Sequence, residues 1–257
     1  MIKWCAYCLH YLGEIEPYQN FETTHGVCES CRPKVLALTP SDQESLKPLQ
    51  NFYRALRSGV KSGHVDDLAS LVEESRRLAI RPLDLMMGML QPMLVEIGEL
   101  WVKGEVSVAI EHRFRLLARD LTAYFKSQLE PRTELANPSL LIFNAPGNGH
   151  YLGLQMADFF FTISDIPARV HYLPLPSEAI LAMVGVHMPV AVGFSVAMPD
   201  QMGQVLELEA RVKDLPRPPR HILVGGPVAR LGVPLPPDSR IQVCRDLSEV
   251  QALVRRE

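Results

Sequence analysis

The sequence has no secretory signal, no low-complexity tract and little net charge. Residues 1–5 do not show the charged-then-apolar pattern of a secretory leader, so we expect a cytoplasmic protein. Hydrophobic residues make up 47% and charged residues 21% of the 257 positions, which is typical of a folded chain and not of a disordered one. A formal net charge of -3 excludes a general attraction of the whole chain to nucleic-acid backbones.

An uninterrupted membrane-spanning run is also missing. The longest apolar stretch, residues 179–198, has the length of a membrane span, but His187, Pro189 and Ser195 interrupt it. We interpret it as the end of a helix followed by a buried strand, and we predict no association with a membrane.

Three segments differ in pattern, and the length suffices for two domains with a small appendage. Residues 1–35 are rich in cysteine and aromatic residues and form a first module. Residues 41–131 repeat apolar positions at helical spacing and predict a four-helix bundle that acts as a cap. Its helices are expected near residues 41–58, 65–79, 83–103 and 106–130. A loop at 131–138 then leads to a third segment, residues 139–257.

In the third segment short apolar runs alternate with helical stretches. This alternation predicts an α/β fold, a doubly wound parallel sheet of the flavodoxin-like kind. The strands are expected at residues 140–143, 168–173, 190–194, 221–224 and 241–243. Ligands on such sheets bind beyond the carboxyl ends of the strands. The candidate binding segments are therefore residues 144–153 and 195–200 and the pair Gly225-Gly226.

A glycine-rich loop, residues 147–153, carries His150 between the first predicted strand and a helix. From position alone, His150 is a structural or capping residue or a ligand-binding one, and the loop could equally cradle a phosphate. The loop resembles the Asp-x-His-x-x-Gly signature of cobalamin-binding Rossmann-like domains. That resemblance implies that His150 is the lower axial ligand of cobalt and that Gly153 closes the motif.

Two further motifs of this family have counterparts in the expected order. Ser195-Val196-Ala197 stands for a Ser-x-Leu motif after the third strand, and Gly225-Gly226 follows the fourth, where missing side chains would admit the nucleotide tail. Asn148 replaces the usual carboxylate and Ala197 the usual leucine. An amide accepts a hydrogen bond without charge, so these departures leave a haem or bilin on the same scaffold as an alternative.

The predicted cap carries Trp101 near the end of one helix and Glu111-His112 in the first turns of the next. Spacing alone favours a core tryptophan and a solvated Glu-His pair. The set resembles the cap signature of cobalamin-dependent photoreceptor regulators. The resemblance implies that Trp101 packs on the adenosyl group of adenosylcobalamin, that Glu111 binds this group, and that His112 ligates cobalt from above after photolysis.

Four cysteines form two Cys-x-x-Cys pairs, Cys5 with Cys8 and Cys28 with Cys31. Two such pairs can close tetrahedrally on one zinc ion, which a module this small needs in order to fold, and we predict a zinc-ribbon-like site. An isolated pair would instead suggest redox chemistry. The segment 24–31 resembles a small cysteine module of bacterial signalling proteins. Cys244 stands alone and is expected to be a core thiol.

No catalytic constellation is recognisable, since Ser195 lacks a Gly-x-Ser-x-Gly elbow, so we expect a protein that is not an enzyme. The family resemblance implies a cobalamin-binding light sensor that regulates transcription or signalling. The alternative is a corrinoid methyl carrier for a methyltransferase. The cysteine module has no basic excess, which favours a transcription regulator or signalling protein as partner. Direct DNA binding and a homo-oligomer stay open.

Overall fold

The structure is a computed structural model that describes residues 1–34, 44, 46–64, 67–130, 137–232 and 234–255. The chain divides into two compact units, Met1–Gln128 (unit 1) and Leu129–Glu257 (unit 2), and each is described by itself. Parts of the predicted first and second helices and of the predicted linker, residues 41–43, 45, 65–66 and 131–136, lie outside the described residues. The predicted domain limits stay predictions.

Unit 1 begins with a three-stranded sheet of β1 (Ile2–Cys5), β2 (Tyr11–Glu14) and β3 (Thr23–Gly26). The order is β2-β1-β3, with β1 antiparallel to β2 and parallel to β3. Cys5 at the end of β1 pairs with Gly26 at the end of β3. Because parallel strands end at the same edge of a sheet, both Cys-x-x-Cys pairs start from this edge.

Among the described residues of unit 1, four helices of ten or more residues follow, as the apolar spacing predicts. They are α1 (Lys47–Lys61), α2 (Leu68–Arg77), α3 (Pro82–Val102) and α4 (Val108–Ser127). The carboxylate of Asp67 caps α2 by accepting from the Ser70 backbone N–H at 2.8 Å. Within α3, the segment Met86–Leu90 has π-helical hydrogen bonding, a local widening that the sequence pattern does not predict.

The sheet of unit 1 packs on the widened turn of α3. Trp4 is fully buried, and a Cβ atom added to Gly88 would lie 2.6 Å from its indole, so only glycine fits there. The Tyr11 backbone N–H donates to Asp84 Oδ1 at 3.1 Å, and the Tyr53 hydroxyl donates to the Phe21 carbonyl at 3.0 Å. The cysteine module, residues 1–34, therefore shares a core with the helices.

Unit 2 is a five-stranded parallel sheet with helices between its strands. The strands are β4 (Leu140–Asn144), β5 (Ala168–His171), β6 (Ala191–Ser195), β7 (His221–Gly225) and β8 (Ile241–Val243). The helices are α5 (Leu152–Ile163), α6 (Ser177–His187), α7 (Met202–Lys213), α8 (Val228–Leu231) and α9 (Leu247–Arg255). The order β5-β4-β6-β7-β8 is flavodoxin-like, which confirms the predicted fold class.

The apolar stretch at residues 179–198 forms most of α6 and all of β6, as predicted. Among the described helices, Pro82–Val102 is long and apolar enough to cross a membrane, with a mean hydropathy of 1.2. In the structure, 56% of the 18-residue window of this helix that has that hydropathy is buried inside the protein. Buried core helices share this length and composition, so the observation is weak support for a membrane span.

Candidate functional site

The ends of three neighbouring strands form one edge of the sheet in unit 2. Asn144 of β4 pairs with Ser195 of β6, which pairs with Gly225 of β7. The strand order reverses at β4, between β5 and β6, and such a switch point leaves a crevice beyond the strand ends. The loop that carries His150 follows β4 at this point, so the structure brings these predicted site residues to the same edge.

His150 is exposed, and its ring orientation is set by the fully buried Asn148. Asn148 Oδ1 accepts from the His150 backbone N–H at 2.9 Å and lies 3.2 Å from His150 Nδ1. Because an amide oxygen only accepts, Nδ1 carries the ring proton, and in the neutral ring Nε2 keeps a free lone pair. His150 therefore has the form that a metal ligand requires.

The amide nitrogen of Asn148 fixes the loop to two strands. It donates to the Ser195 carbonyl at 2.9 Å and to Asn144 Oδ1 at 2.8 Å. Sequence comparison with the resembled signature puts a carboxylate at this position, which could not donate either bond. The groups around position 148 therefore suit the amide that this chain has and not the carboxylate of the signature.

The glycine pair after β7 has a structural requirement of its own. Gly226 has a φ of 93°, and a Cβ atom there would lie 2.7 Å from the Val196 carbonyl oxygen. The close approach of the loop after β6 thus requires glycine whether or not a nucleotide tail binds. Gly153, by contrast, lies in the first turn of α5 with nothing within 4 Å of an added Cβ. The Ala197 N–H donates to Gln201 Oε1 at 3.0 Å.

In unit 1, Trp101 lies at the end of α3 and is 47% exposed, so the interpretation as a core residue is wrong. The helix ends in a Schellman motif: Gly104 N–H donates to the Trp101 carbonyl, and Glu105 N–H to the Leu100 carbonyl, both at 2.9 Å. Gly104 has the positive φ of 76° that this motif needs. The motif ends the helix and leaves the indole at the surface of the unit.

Glu111 and His112 lie in the first turns of α4, and both contact Arg115. Glu111 Oε1 is 3.5 Å from Arg115 Nε, and an Arg115 nitrogen donates to His112 Nδ1 at 2.7 Å. Since a guanidinium only donates, Nδ1 is the acceptor and the neutral ring carries its proton on Nε2. His112 thus has the opposite ring form from His150 and has no free lone pair on Nε2.

The four cysteines of the module come together as predicted. All four Sγ atoms lie within 4.8 Å of one another, and Cys8 Sγ is 3.7 Å from Cys28 Sγ. Four thiolates at about 2.3 Å from a tetrahedral metal ion lie about 3.8 Å apart. No disulfide joins the described cysteines, all of which are free thiols. The cluster therefore fits a metal ion.

Local hydrogen bonds prepare one thiol of the cluster for a metal. Burial raises the pKa of the Cys5 thiol, but hydrogen bonds from the backbone of Cys28, Cys8 and Tyr7 outweigh it and bring the pKa to about 6. Burial raises the pKa of Cys8 to about 12. Because the thiolate is the ligating form, metal binding to the cluster releases the protons of thiols such as Cys8.

Cys244 lies outside this cluster. It is 6% exposed, and burial raises the pKa of its thiol to about 12. The prediction of a core thiol is confirmed.

Asn144 and Arg115 are site residues that the sequence motifs did not single out, although Asn144 begins the predicted binding segment 144–153. Asn144 looks like the last residue of an apolar strand, and its bond to Asn148 depends on the folded loop. The contact of Arg115 was predictable from its spacing. Residues three and four positions apart lie on the same face of a helix, and Arg115 follows His112 by three positions and Glu111 by four.

Comparison with known proteins gives one family match and several similar structures. Residues 49–117 match the family model "B12 binding domain", a stretch that contains Trp101, Glu111 and His112 but not His150. No curated protein matches the sequence. The match supports a cobalamin-binding family and a cobalamin cofactor; it covers part of unit 1.

The monomethylamine corrinoid protein of Methanosarcina barkeri aligns with a TM-score of 0.61 at 15% identity, covering 79% of this chain and 97% of that one. At this identity the likeness concerns the fold. Two more structures align with TM-scores of 0.38, too low to support an argument. They are the methanol:cobalamin methyltransferase complex MtaBC of Methanosarcina barkeri (17% identity, 90% and 93% coverage) and a cobalamin-binding protein of Desulfitobacterium hafniense (14% identity, 79% and 97% coverage).

Proposed function

We propose that the protein binds a cobalamin, with His150 as the lower cobalt ligand, and carries it as a corrinoid methyl carrier for a partner methyltransferase. The observation that carries the proposal is the ring form of His150, whose Nε2 lone pair is free at the carboxyl edge of the sheet. The matched B12 binding domain and the fold shared with a corrinoid protein support it.

In this proposal the residues of the chain bind and orient the corrinoid, and they do not catalyse the methyl transfer. Asn148 fixes the ring of His150, and Gly225 and Gly226 leave the neighbouring edge without side chains. The corrinoid itself would supply the cobalt that takes up and gives up a methyl group. Catalysis then belongs to a partner protein, and the chain is not an enzyme on its own.

The cysteine cluster would hold zinc in a structural role, because four thiolates leave no position open for a substrate. The five free cysteines agree with a reducing cytoplasm. A transcription regulator or signalling protein, a second copy of the chain or DNA stays an alternative to the methyltransferase partner.

The test is binding of hydroxocobalamin to the purified protein, followed by absorption spectroscopy. We expect His150→Ala to weaken binding at least about 10-fold, the size of effect typical of disturbed metal ligation, and to remove the spectral shift of histidine ligation. His221→Ala is the matched control, because His221 begins β7 at the opposite edge of the sheet. Equal spectra and affinities for wild type and His150→Ala would refute the proposal.

A second candidate function is the light sensor, and the exposed Trp101 together with the Glu111-His112 pair, all within the matched B12 stretch, favours it. For a light sensor, the hydrogen bond from Arg115 to His112 must break before Nε2 of His112 can bind a metal. Adenosylcobalamin-loaded protein is illuminated with green light, and the photoproduct is compared in wild type, His112→Ala and Arg115→Ala. A sensor predicts a photoproduct that disappears in His112→Ala and forms faster in Arg115→Ala. Identical photoproducts in all three favour the carrier.

A further inference from the structure

Two buried asparagines, Asn144 and Asn148, connect the strand ends below His150. Both are fully buried, with an exposed fraction of 0%. A buried amide needs partners for both its oxygen and its nitrogen, because an unpaired polar group away from water is destabilising. Each of the two amides has such partners on both sides, and together they span three strands.

The orientation of each amide is fixed by backbone groups whose roles cannot change. Asn144 Nδ2 faces the carbonyl oxygens of Asn148, at 2.8 Å, and Tyr172, at 3.1 Å. It must therefore donate to both, and Asn144 Oδ1 is left to accept from Asn148 Nδ2 at 2.8 Å.

The same reasoning fixes Asn148. Its Nδ2 faces the Ser195 carbonyl at 2.9 Å, and its Oδ1 faces the His150 backbone N–H at 2.9 Å. The oxygen next to the His150 ring is thus always an acceptor. Donation therefore runs in one direction, from Nδ1–H of His150 through Asn148 and Asn144 to backbone carbonyls at the strand ends.

We propose that Asn144 is a positioning residue that acts through Asn148 to hold His150 with its proton on Nδ1, and that this chain of bonds requires amides. A carboxylate at position 148 would place an oxygen 2.9 Å from the Ser195 carbonyl and 2.8 Å from Asn144 Oδ1, where nothing donates. That oxygen would carry part of a buried negative charge with no donor of its own, and only the other oxygen would keep the two donors of His150. The binding role of His150 rests on the proposed function, whereas its ring form does not.

The ring form can be measured without any cobalamin. In 15N-labelled protein, above the ordinary titration range of histidine, 15N–1H correlation distinguishes a protonated from an unprotonated ring nitrogen, and His150→Ala assigns the signals. We expect a single form of His150 in wild type, protonated on Nδ1. Asn144→Ala and Asn148→Ala should give a mixture of both forms, because the first loosens and the second removes the acceptor beside Nδ1. Asn137→Ala, a change at an exposed asparagine of the same unit, should leave the single form unchanged.

A wild-type proton on Nε2, or an unchanged single form in folded Asn144→Ala, would overturn the inference. The wild-type spectrum decides it even where a variant does not fold. Hydroxocobalamin affinity is a separate measurement, and we expect Asn144→Ala to weaken it about 10-fold or more. A wild-type protein that shows the Nδ1 form but binds no cobalamin would refute the proposed function and leave the inference about Asn144 standing.

Discussion

The His150 loop of unit 2 and the core of unit 1 hold their polar groups by different chemistry. In unit 2, neutral amides on Asn144 and Asn148 set the candidate ligand His150. In unit 1, charged groups dominate: Glu96, 6% exposed, pairs with Arg57 and Lys61 at 2.6 Å, Arg115 holds His112, and four thiols converge at the N-terminus. Neutral hydrogen bonds do not titrate, whereas charges and thiolates do.

The comparison teaches that one residue type can be set to opposite ring forms by its neighbour. An amide oxygen beside Nδ1 leaves Nε2 of His150 free, and a guanidinium beside Nδ1 places the proton of neutral His112 on Nε2. It follows that unit 1 should respond to metal and pH more strongly than the loop of unit 2. Three predictions test this difference.

The largest expected effect is loss of the metal from unit 1. Cys28→Ser, or a strong chelator, should unfold the cysteine module, since structural zinc contributes on the order of 10 kcal/mol to the folding of such small sites. Mass spectrometry measures the metal content, and thermal unfolding measures the loss of stability. Cys244→Ser changes a buried thiol of unit 2 and should keep the full metal content. Full metal content in Cys28→Ser would contradict the four-thiolate site.

The second prediction concerns the buried charge of unit 1. Burial alone would raise the pKa of Glu96, but the hydrogen bonds and charges of Arg57 and Lys61 outweigh it and lower the pKa. A lowered folded pKa stabilises the fold above the unfolded value, about 4.3, and this stability is lost as the pH falls through the folded pKa. Glu96→Gln should cost about 3 kcal/mol near neutral pH, as expected when one partner of a buried pair is removed.

Urea unfolding over a pH series measures this effect. The stability difference between wild type and Glu96→Gln should shrink as the solution is acidified, because protonation makes the two side chains alike. Glu74→Gln is the control, since its partner Arg77 is 64% exposed and such a pair contributes about 0–1 kcal/mol. A difference that does not depend on pH would show that Glu96 acts through packing and not through charge.

The smallest predicted effect concerns the contact between the cysteine module and α3. Gly88→Ala places a methyl group 2.6 Å from the Trp4 indole and should cost roughly 1–3 kcal/mol by overpacking. Gly98→Ala changes the same helix where nothing lies within 4 Å of the new Cβ, and it should stabilise by up to about 1 kcal/mol. Chemical denaturation compares the two. Equal effects would mean that the module does not depend on this contact.

The sheet of unit 2 was predictable because its three central strands, β4, β6 and β7, are mostly buried on both faces. Their apolar runs predict each strand to within about two residues, and the observed β8 has the predicted bounds Ile241–Val243. The second strand is shorter than predicted: it ends at His171, and Leu173 is 71% exposed.

Features that depend on contacts distant in sequence were not predictable. Trp4 of β1 packs on Gly88 in the π-helical turn of α3. The spacing of apolar residues along the helix does not predict that contact. The motifs located His150 and Asn148, but not the role of Asn144. Gly226 was predicted as a ligand contact, although the Val196 backbone already requires glycine there.

The placement of the chain's two tryptophans gives the protein a pair of built-in optical reporters. Trp4 is fully buried beside Cys5, on the first part of α3, whereas Trp101 is half exposed where the same helix ends. A buried indole fluoresces at shorter wavelength than a solvated one, so the two signals separate. Replacing one tryptophan at a time by phenylalanine would let fluorescence report separately on the cysteine cluster at one end of α3 and on the surface at the other, and so test whether a corrinoid reaches Trp101.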